Sequence, residues 1–247
     1  MAKRVLGAFL ATNDPIPGRR IQLTEADIRD LAEHLRPDDQ LSANHDERVL
    51  IPTRIVLAEL RRTPSGSLGL WVESEVDEET LVDFPERFGY SVGYGRELIA
   101  ANPDSSLPLL QLVVDSENFT DEQLHGTVAA LGAHFNVTAG WWLQYSELPP
   151  PVVILGLGIQ FVASVPPAVL RGMLVDAIKG WLFKGRSGTP TEFRLNLRDE
   201  TREISAFIRT SDPDVFGRAV ELLREVLPQE GVAYEYEDDD QAYRKIR

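Results

Sequence analysis

The 247-residue chain contains no cysteine. That excludes disulfides, thiolate catalysis and zinc sites built on cysteine sulfur, and it leaves the redox compartment open, with the cytoplasm as the default expectation. Histidine is scarce too: His34, His45, His125 and His134 are the four present. No two of them stand at helical metal-ligand spacing, so no metal or other cofactor is expected. Positive charge is also in short supply. Against 39 Asp and Glu stand 25 Lys and Arg, a formal net charge of -14. Such a surface gives nucleic-acid binding no electrostatic support and is repelled by anionic membranes. Long hydrophobic runs are lacking as well. The nearest, "VVILGLGIQFVASVPPAVL" (Val152 to Leu170), reaches spanning length only by including Gln160 and the Pro166-Pro167 pair. Backbone groups opened by a proline pair cannot be satisfied in lipid. The stretch reads as buried core or as a partner-facing segment, with membrane contact through residues 152–170 as the less favoured alternative. The apolar part of "MAKRVLGAFLATNDP" is too short for a signal peptide, and the run reads as a first strand.

What is present suits a globular protein: 43% hydrophobic and 26% charged residues, on a chain long enough for one large domain or two ordinary ones. "IQLTEADIRDLAEHL" reads as a helix, with Thr24 as N-cap, Asp27 at its third position, Leu23 stapling Ile28, and a stop at Pro37. "RIVLAELRRT" and "LGLWVESEVD" alternate around the turn "PSGS" and read as a hairpin. "LPLLQLVVD" reads as a strand, "FTDEQLHGTVAALGAHF" as a helix capped by Thr120 with Gln123 three residues on, and "NVTAGWWLQYS" as a further strand. The adjacent Trp141 and Trp142 should then face opposite sides of that strand, one toward an interface.

The triproline in "ELPPPVV" reads as a stiff connector, since it suits neither a helix interior nor a central strand. It sets an expected boundary near residue 148, between a domain over 1–148 and a unit over 149–247. In the second part an apolar helical segment is followed by a β-β-α-β unit: "TEFRLNLRD", "REISAFIRT", a helix with Pro213 in its first turn, and "VAYEYEDDD" ending in a solvated acidic tail. "GLGIQF" lacks a third spaced glycine and reads as no dinucleotide loop, while "ESEVDEE" and "EDDD" read as solvated acidic runs.

One stretch raises a chemical question. "FPERFGYSVGYGRE" (Phe84 to Glu97) sets Ser91 among small residues, either to bond a tight bend or to act as a nucleophile. A serine hydroxyl needs a base within hydrogen-bond reach. Of the four histidines, His34 and His125 sit on helices and His134 follows a helix end. His45, in "SANHDERVLIPTRIV", lies between a turn and a strand, where loops tend to carry function. Gly93 and Gly95 would let main-chain N–H groups around Val92 and Gly93 approach a developing oxyanion.

The order of "NHD", a hairpin ending in "GLWVESEVD", and then "GYSVGY" resembles the phage prohead (capsid maturation) serine proteases, which share the fold of the herpesvirus assemblins. The resemblance covers residues from about 5 to about 115. It implies an α+β fold whose first domain is a bent or barrel-like antiparallel sheet with surrounding helices. It also implies His45 as general base and Ser91 as nucleophile. Where the family carries a residue that orients the base, this chain has Gln111, with Asp115, Glu117 and His125 as neighbouring alternatives. The expected activity is a serine endopeptidase working through an acyl-enzyme on a protein substrate. The rival expectation is a protease-like fold, weak or inactive, that acts as an interaction or membrane-associated module through residues 152–183. The expected partners are proteins, with self-association into a homo-oligomer among them.

Overall fold

The computed structural model describes residues 3–15, 22–37, 40–42, 52–79, 93–144, 151–183, 190–228 and 233–246. The chain forms two compact units, one of residues 1–94 with 143–147, the other of residues 95–142 with 148–247.

In the first unit four antiparallel strands make one sheet. They are β1 (Lys3–Thr12), β2 (Gln40–Ser42), β3 (Pro52–Arg62) and β4 (Leu68–Asp77), in the order β1-β4-β3-β2. Among the described residues the sheet does not close, so the expected barrel-like form is corrected to an open antiparallel sheet. The β3–β4 hairpin turns at Gly66, whose φ of 92° is open to glycine and costly for other residues. One face of β4 buries Leu70, Val72 and Val76, and helix α1 (Glu25–His34) packs over β3 and β4. The start of α1 follows its local code: the Thr24 hydroxyl accepts from Asp27 N, and the Asp27 carboxylate accepts from Thr24 N at 2.7 Å. Leu23 and Ile28 are both buried beside this cap, and the helix ends at His34, short of Pro37. On the opposite face the Trp71 indole lies over Gly7, where a Cβ would come within 2.6 Å of the ring, and Phe9 meets it edge-on at 5.1 Å.

The second unit is built on an eight-stranded mixed sheet, β12-β11-β10-β9-β8-β6-β7-β5. Its strands are β5 (Gly93–Ile99), β6 (Leu109–Asp115), β7 (Asn136–Gln144), β8 (Val152–Gly158), β9 (Thr191–Arg198), β10 (Glu203–Thr210), β11 (Ala233–Glu237) and β12 (Ala242–Lys245). Strands from both sides of the triproline thus share one sheet, and residue 148 does not separate them. Three parallel pairs, β6/β7, β8/β9 and β10/β11, are joined through α2 (Asp121–Leu131), through α3 (Ile159–Ser164) with α4 (Pro167–Trp181), and through α5 (Pro213–Leu222).

The helices α2, α4 and α5 lie on one face of this sheet. Phe216 of α5 meets Phe193 of β9 at 4.5 Å, Phe183 after α4 stacks on the same Phe193 at 5.3 Å, and α4 packs on α2. Strands β6 and β10 run the same way, yet β7 and β11 lie on opposite sides of them. Covering one face therefore requires the β10–α5–β11 crossover to have the opposite hand to β6–α2–β7. Left-handed crossovers make up only about 2% of such connections, so one of the two departs from a strong topological preference.

Two expectations for this unit are corrected. The apolar segment after residue 149 begins as β8, a central strand flanked by β6 and β9, rather than as helix. The acidic "EDDD" does not end the fold: it turns into β12, where Tyr243 packs on Tyr236 at 5.4 Å and donates its hydroxyl to Ala219 O at 3.0 Å. No described helix is long and apolar enough to cross a membrane.

Candidate functional site

His45, Ser91 and Val92 lie outside the described residues. The strands that lead into and out of their segments are described. Strands β2 and β3, which flank residues 43–51, are paired antiparallel with Ser42 opposite Pro52. Strand β4, after which the chain continues toward Ser91, ends at Asp77, with Glu75 opposite Arg54 and Asp77 opposite Lys3. The start of β1, the start of β3, the end of β2 and the end of β4 therefore meet at one end of the four-stranded sheet. Gly93 is the first residue of β5.

An ion-pair network closes this sheet end. Arg54 donates through Nε, at 3.2 Å, and through Nη2 to the same Glu75 oxygen, Oε2. Lys3 Nζ takes the other oxygen, Oε1, at 3.3 Å. One carboxylate thus joins three strands. The arrangement depends on a bulge. Counting back from the hairpin turn in unbroken register would put Ile55 opposite Glu75. The irregularity at Val56 shifts the pairing by one residue, so that Arg54 meets Glu75 and Ile55 lies buried opposite Ser74. Sequence reading singled out none of Lys3, Arg54 and Glu75. Opposite charges on two predicted hairpin strands are a signal, but the bulge that aligns them leaves no local mark.

Electrostatics at the network have a measurable consequence. Hydrogen bonds from Arg54, foremost, and Lys3 hold the Glu75 carboxyl below its ordinary value of 4.5. Bonds from Ser65 and Ser67 lower Asp14, and the Thr201 backbone N–H with its hydroxyl lowers Asp199, both from 3.8. A carboxylate with a depressed folded-state pKa stabilises the fold fully above its unfolded value, and that contribution is lost as pH falls through the folded value. The thermal midpoint should therefore decline as pH drops below 4.5, and Glu75→Gln should flatten the upper part of that decline. Coincident wild-type and variant slopes would contradict a bonded, ionised Glu75.

The remaining expected site residues sit in the second unit. Gln111 is exposed on β6, between Thr138 of β7 and Gly156 of β8. The missing side chain of Gly156 leaves room for the amide: a Cβ there would come within 3.1 Å of Gln111 Oε1. Asp115 is buried at the end of β6. Its Oδ1 accepts from Glu117 N at 2.8 Å and its Oδ2 from Asn118 Nδ2 at 2.7 Å, which shapes the turn into α2. His34, His125 and His134 are all exposed, and His34 Nδ1 donates to Asp30 O at 2.7 Å within its own helix. Trp141 is buried, while Trp142, on the other face, packs against Val113, Val152 and Ile154. Among the described residues no cluster of histidine and acidic side chains could hold a metal ion. No protein-family model, curated protein or solved structure matches the chain.

Proposed function

We propose that the chain is a serine endopeptidase of the prohead-maturation type, acting through Ser91 and His45. The observation that supports this reading is the order of the "NHD" and "GYSVGY" motifs around a strand hairpin, which β3 and β4 form as expected. A serine nucleophile needs a base within hydrogen-bond reach, and His45 is the histidine that stands in a loop before that hairpin.

In this reading the His45 imidazole takes the Ser91 hydroxyl proton as Oγ attacks the scissile carbonyl carbon. Main-chain N–H groups of Val92 and Gly93 hold the developing oxyanion, and glycine at 93 removes a Cβ that would crowd it. The carbon–nitrogen bond then breaks, the leaving amine takes the proton from His45, and water hydrolyses the acyl ester with His45 again as base. The substrate class is an extended protein segment.

The interaction reading through residues 152–183 draws less support from the fold. Val152, Val153, Leu155, Val162, Leu170, Leu174 and Ile178 all lie in the core of the second unit, which accounts for the apolar character of the stretch.

A fluorophosphonate probe tests the proposal on the full chain. Wild type should label covalently, and Ser91→Ala and His45→Ala should each lose about a hundredfold or more of the rate, with unchanged circular dichroism and thermal midpoints. A folded wild type that never labels would remove the protease from consideration.

A further inference from the structure

Strand β1 pairs with β4 along one edge, and among the described residues no strand pairs with its other edge. An unpaired edge presents a row of N–H and C=O groups that another strand can take up, and proteins blunt such edges with short strands, charges or bulges. The remaining described sheet edges are blunted in this way. Strand β2 has three residues, β12 has four and carries the exposed Arg244 and Lys245, and β5 carries the exposed Glu97. Strand β1 has ten residues, its charges are confined to Lys3 and Arg4 at its start, and its irregularity lies at the far end, between Phe9 and Ala11. Residues 3–9 are thus left as a regular, unblunted edge, in which Lys3, Arg4, Val5 and Gly7 are exposed, Val5 by 55%.

We propose that β1 is a self-association edge, which pairs antiparallel with β1 of a second copy and joins two four-stranded sheets across a two-fold axis. The regular stretch is centred on Leu6, and pairing about that residue is self-complementary. Val5 then stands opposite Gly7 of the second copy. At Gly7 the Trp71 indole occupies the place of the missing side chain, since a Cβ there would come within 2.6 Å of the ring. A β-branched residue beside an aromatic ring is a favourable cross-strand pair, and the two-fold axis makes it twice. Charge selects the same occupant and the same direction. The chain carries a net charge of -14, whereas residues 3–12 hold two cations and no anion, so this edge is where another copy meets basic rather than acidic groups. Parallel pairing would set Lys3 and Arg4 beside their twins. Antiparallel pairing sends them to opposite ends, with Arg4 opposite Ala8 and Lys3 opposite Phe9, each against an acidic partner molecule. Nothing in this pairing depends on Ser91 or His45.

Analytical ultracentrifugation of the full chain tests the pairing. Wild type should show a reversible monomer–dimer equilibrium at micromolar concentrations. Val5→Asp, which sets a carboxylate into the contact, should raise the dissociation constant about tenfold or more with an unchanged circular dichroism spectrum. Val169→Asp, on the exposed side of α4, should leave the constant unaltered. Because the chain has no cysteine, Arg4→Cys accepts a single nitroxide label. Pairing about Leu6 puts the two labelled positions four residues apart on adjacent strands, about 14 Å between α-carbons, so the spin-resonance spectrum should broaden as dimer forms. A chain that stays monomeric overturns the proposal. So does a dimer that Val5→Asp leaves intact, one that Val169→Asp weakens equally, or one in which the labels do not broaden each other. Should Val5→Asp fail to fold, the nitroxide result decides by itself.

Discussion

Replacing Val153 by aspartate should leave little folded protein at neutral pH. Val153 is fully buried on β8, paired with Val114 of β6 on one side and Phe193 of β9 on the other, beneath the helical layer. An ionised carboxylate there has no partner. The variant must desolvate the charge or bind a proton at large cost, and it also loses the valine methyls. Together these amount to about 5 kcal/mol or more, comparable with the whole stability of a typical domain. Far-UV circular dichroism and urea unfolding read the result directly. Val169→Asp is the matched comparison, because Val169 on α4 is 47% exposed and a surface change of this kind shifts stability by no more than about 0.5 kcal/mol. If Val153→Asp unfolds at the wild-type urea concentration, β8 is not the central strand described. The pair also decides how association data should be read. Lost self-association in the Val153 variant would report unfolding, whereas loss in the Val169 variant would report a surface.

Phe216→Ala should be the most damaging conservative truncation in the second unit. The ring is fully buried, 4.5 Å from Phe193 and 6.5 Å from Phe183, and this cluster fastens α5 and the end of α4 to the sheet. Removing it leaves a cavity that neighbouring rings cannot fill without leaving their rotamers, at a cost of about 3–5 kcal/mol. A larger effect on β10–β12 than on β6–β7 in hydrogen exchange is the further expectation, because α5 contacts β10 and β12 directly. A loss below about 1 kcal/mol would mean that the cluster is not packed as described.

The elements most legible in the sequence are those whose determinants lie within a few residues. Both capping boxes, Thr24 with Asp27 and Thr120 with Gln123, form as their spacing requires, because an N-cap side chain reaches only its own first turn. The "PSGS" turn and the Asp199 bend likewise hold their hairpins: Gly66 adopts a positive φ, and Asp199 Oδ1 accepts from Thr201 N and Arg202 N, each at 2.8 Å. Alternation placed β3, β4, β9 and β10 because each has a face to bury.

Other features escaped for equally physical reasons. "VVILGLG" has no polar face, since β8 is covered on both sides, and a short wholly apolar run carries no period to tell strand from helix. The triproline looked like a domain border because proline breaks elements locally, yet pairing resumes across it in the same sheet. The strand β12 was hidden behind an acidic turn whose composition reads as solvated, although Tyr236 and Tyr243 on either side pack together. At the candidate site His45 and Ser91 lie outside the described residues and rest on the sequence motifs alone. The Lys3–Glu75–Arg54 network was not legible, since a bulge at Val56 decides which residue faces Glu75.

By itself the order of residues determined where helices start, where hairpins turn and which strands bury one face, because each depends on neighbours within about one or two turns of chain. Only the tertiary structure decided which strands share a sheet, that residues 95–142 belong with the C-terminal part, and which charges meet at the end of the first sheet. Those outcomes come from burial and pairing between residues tens of positions apart, whose energies no local pattern records.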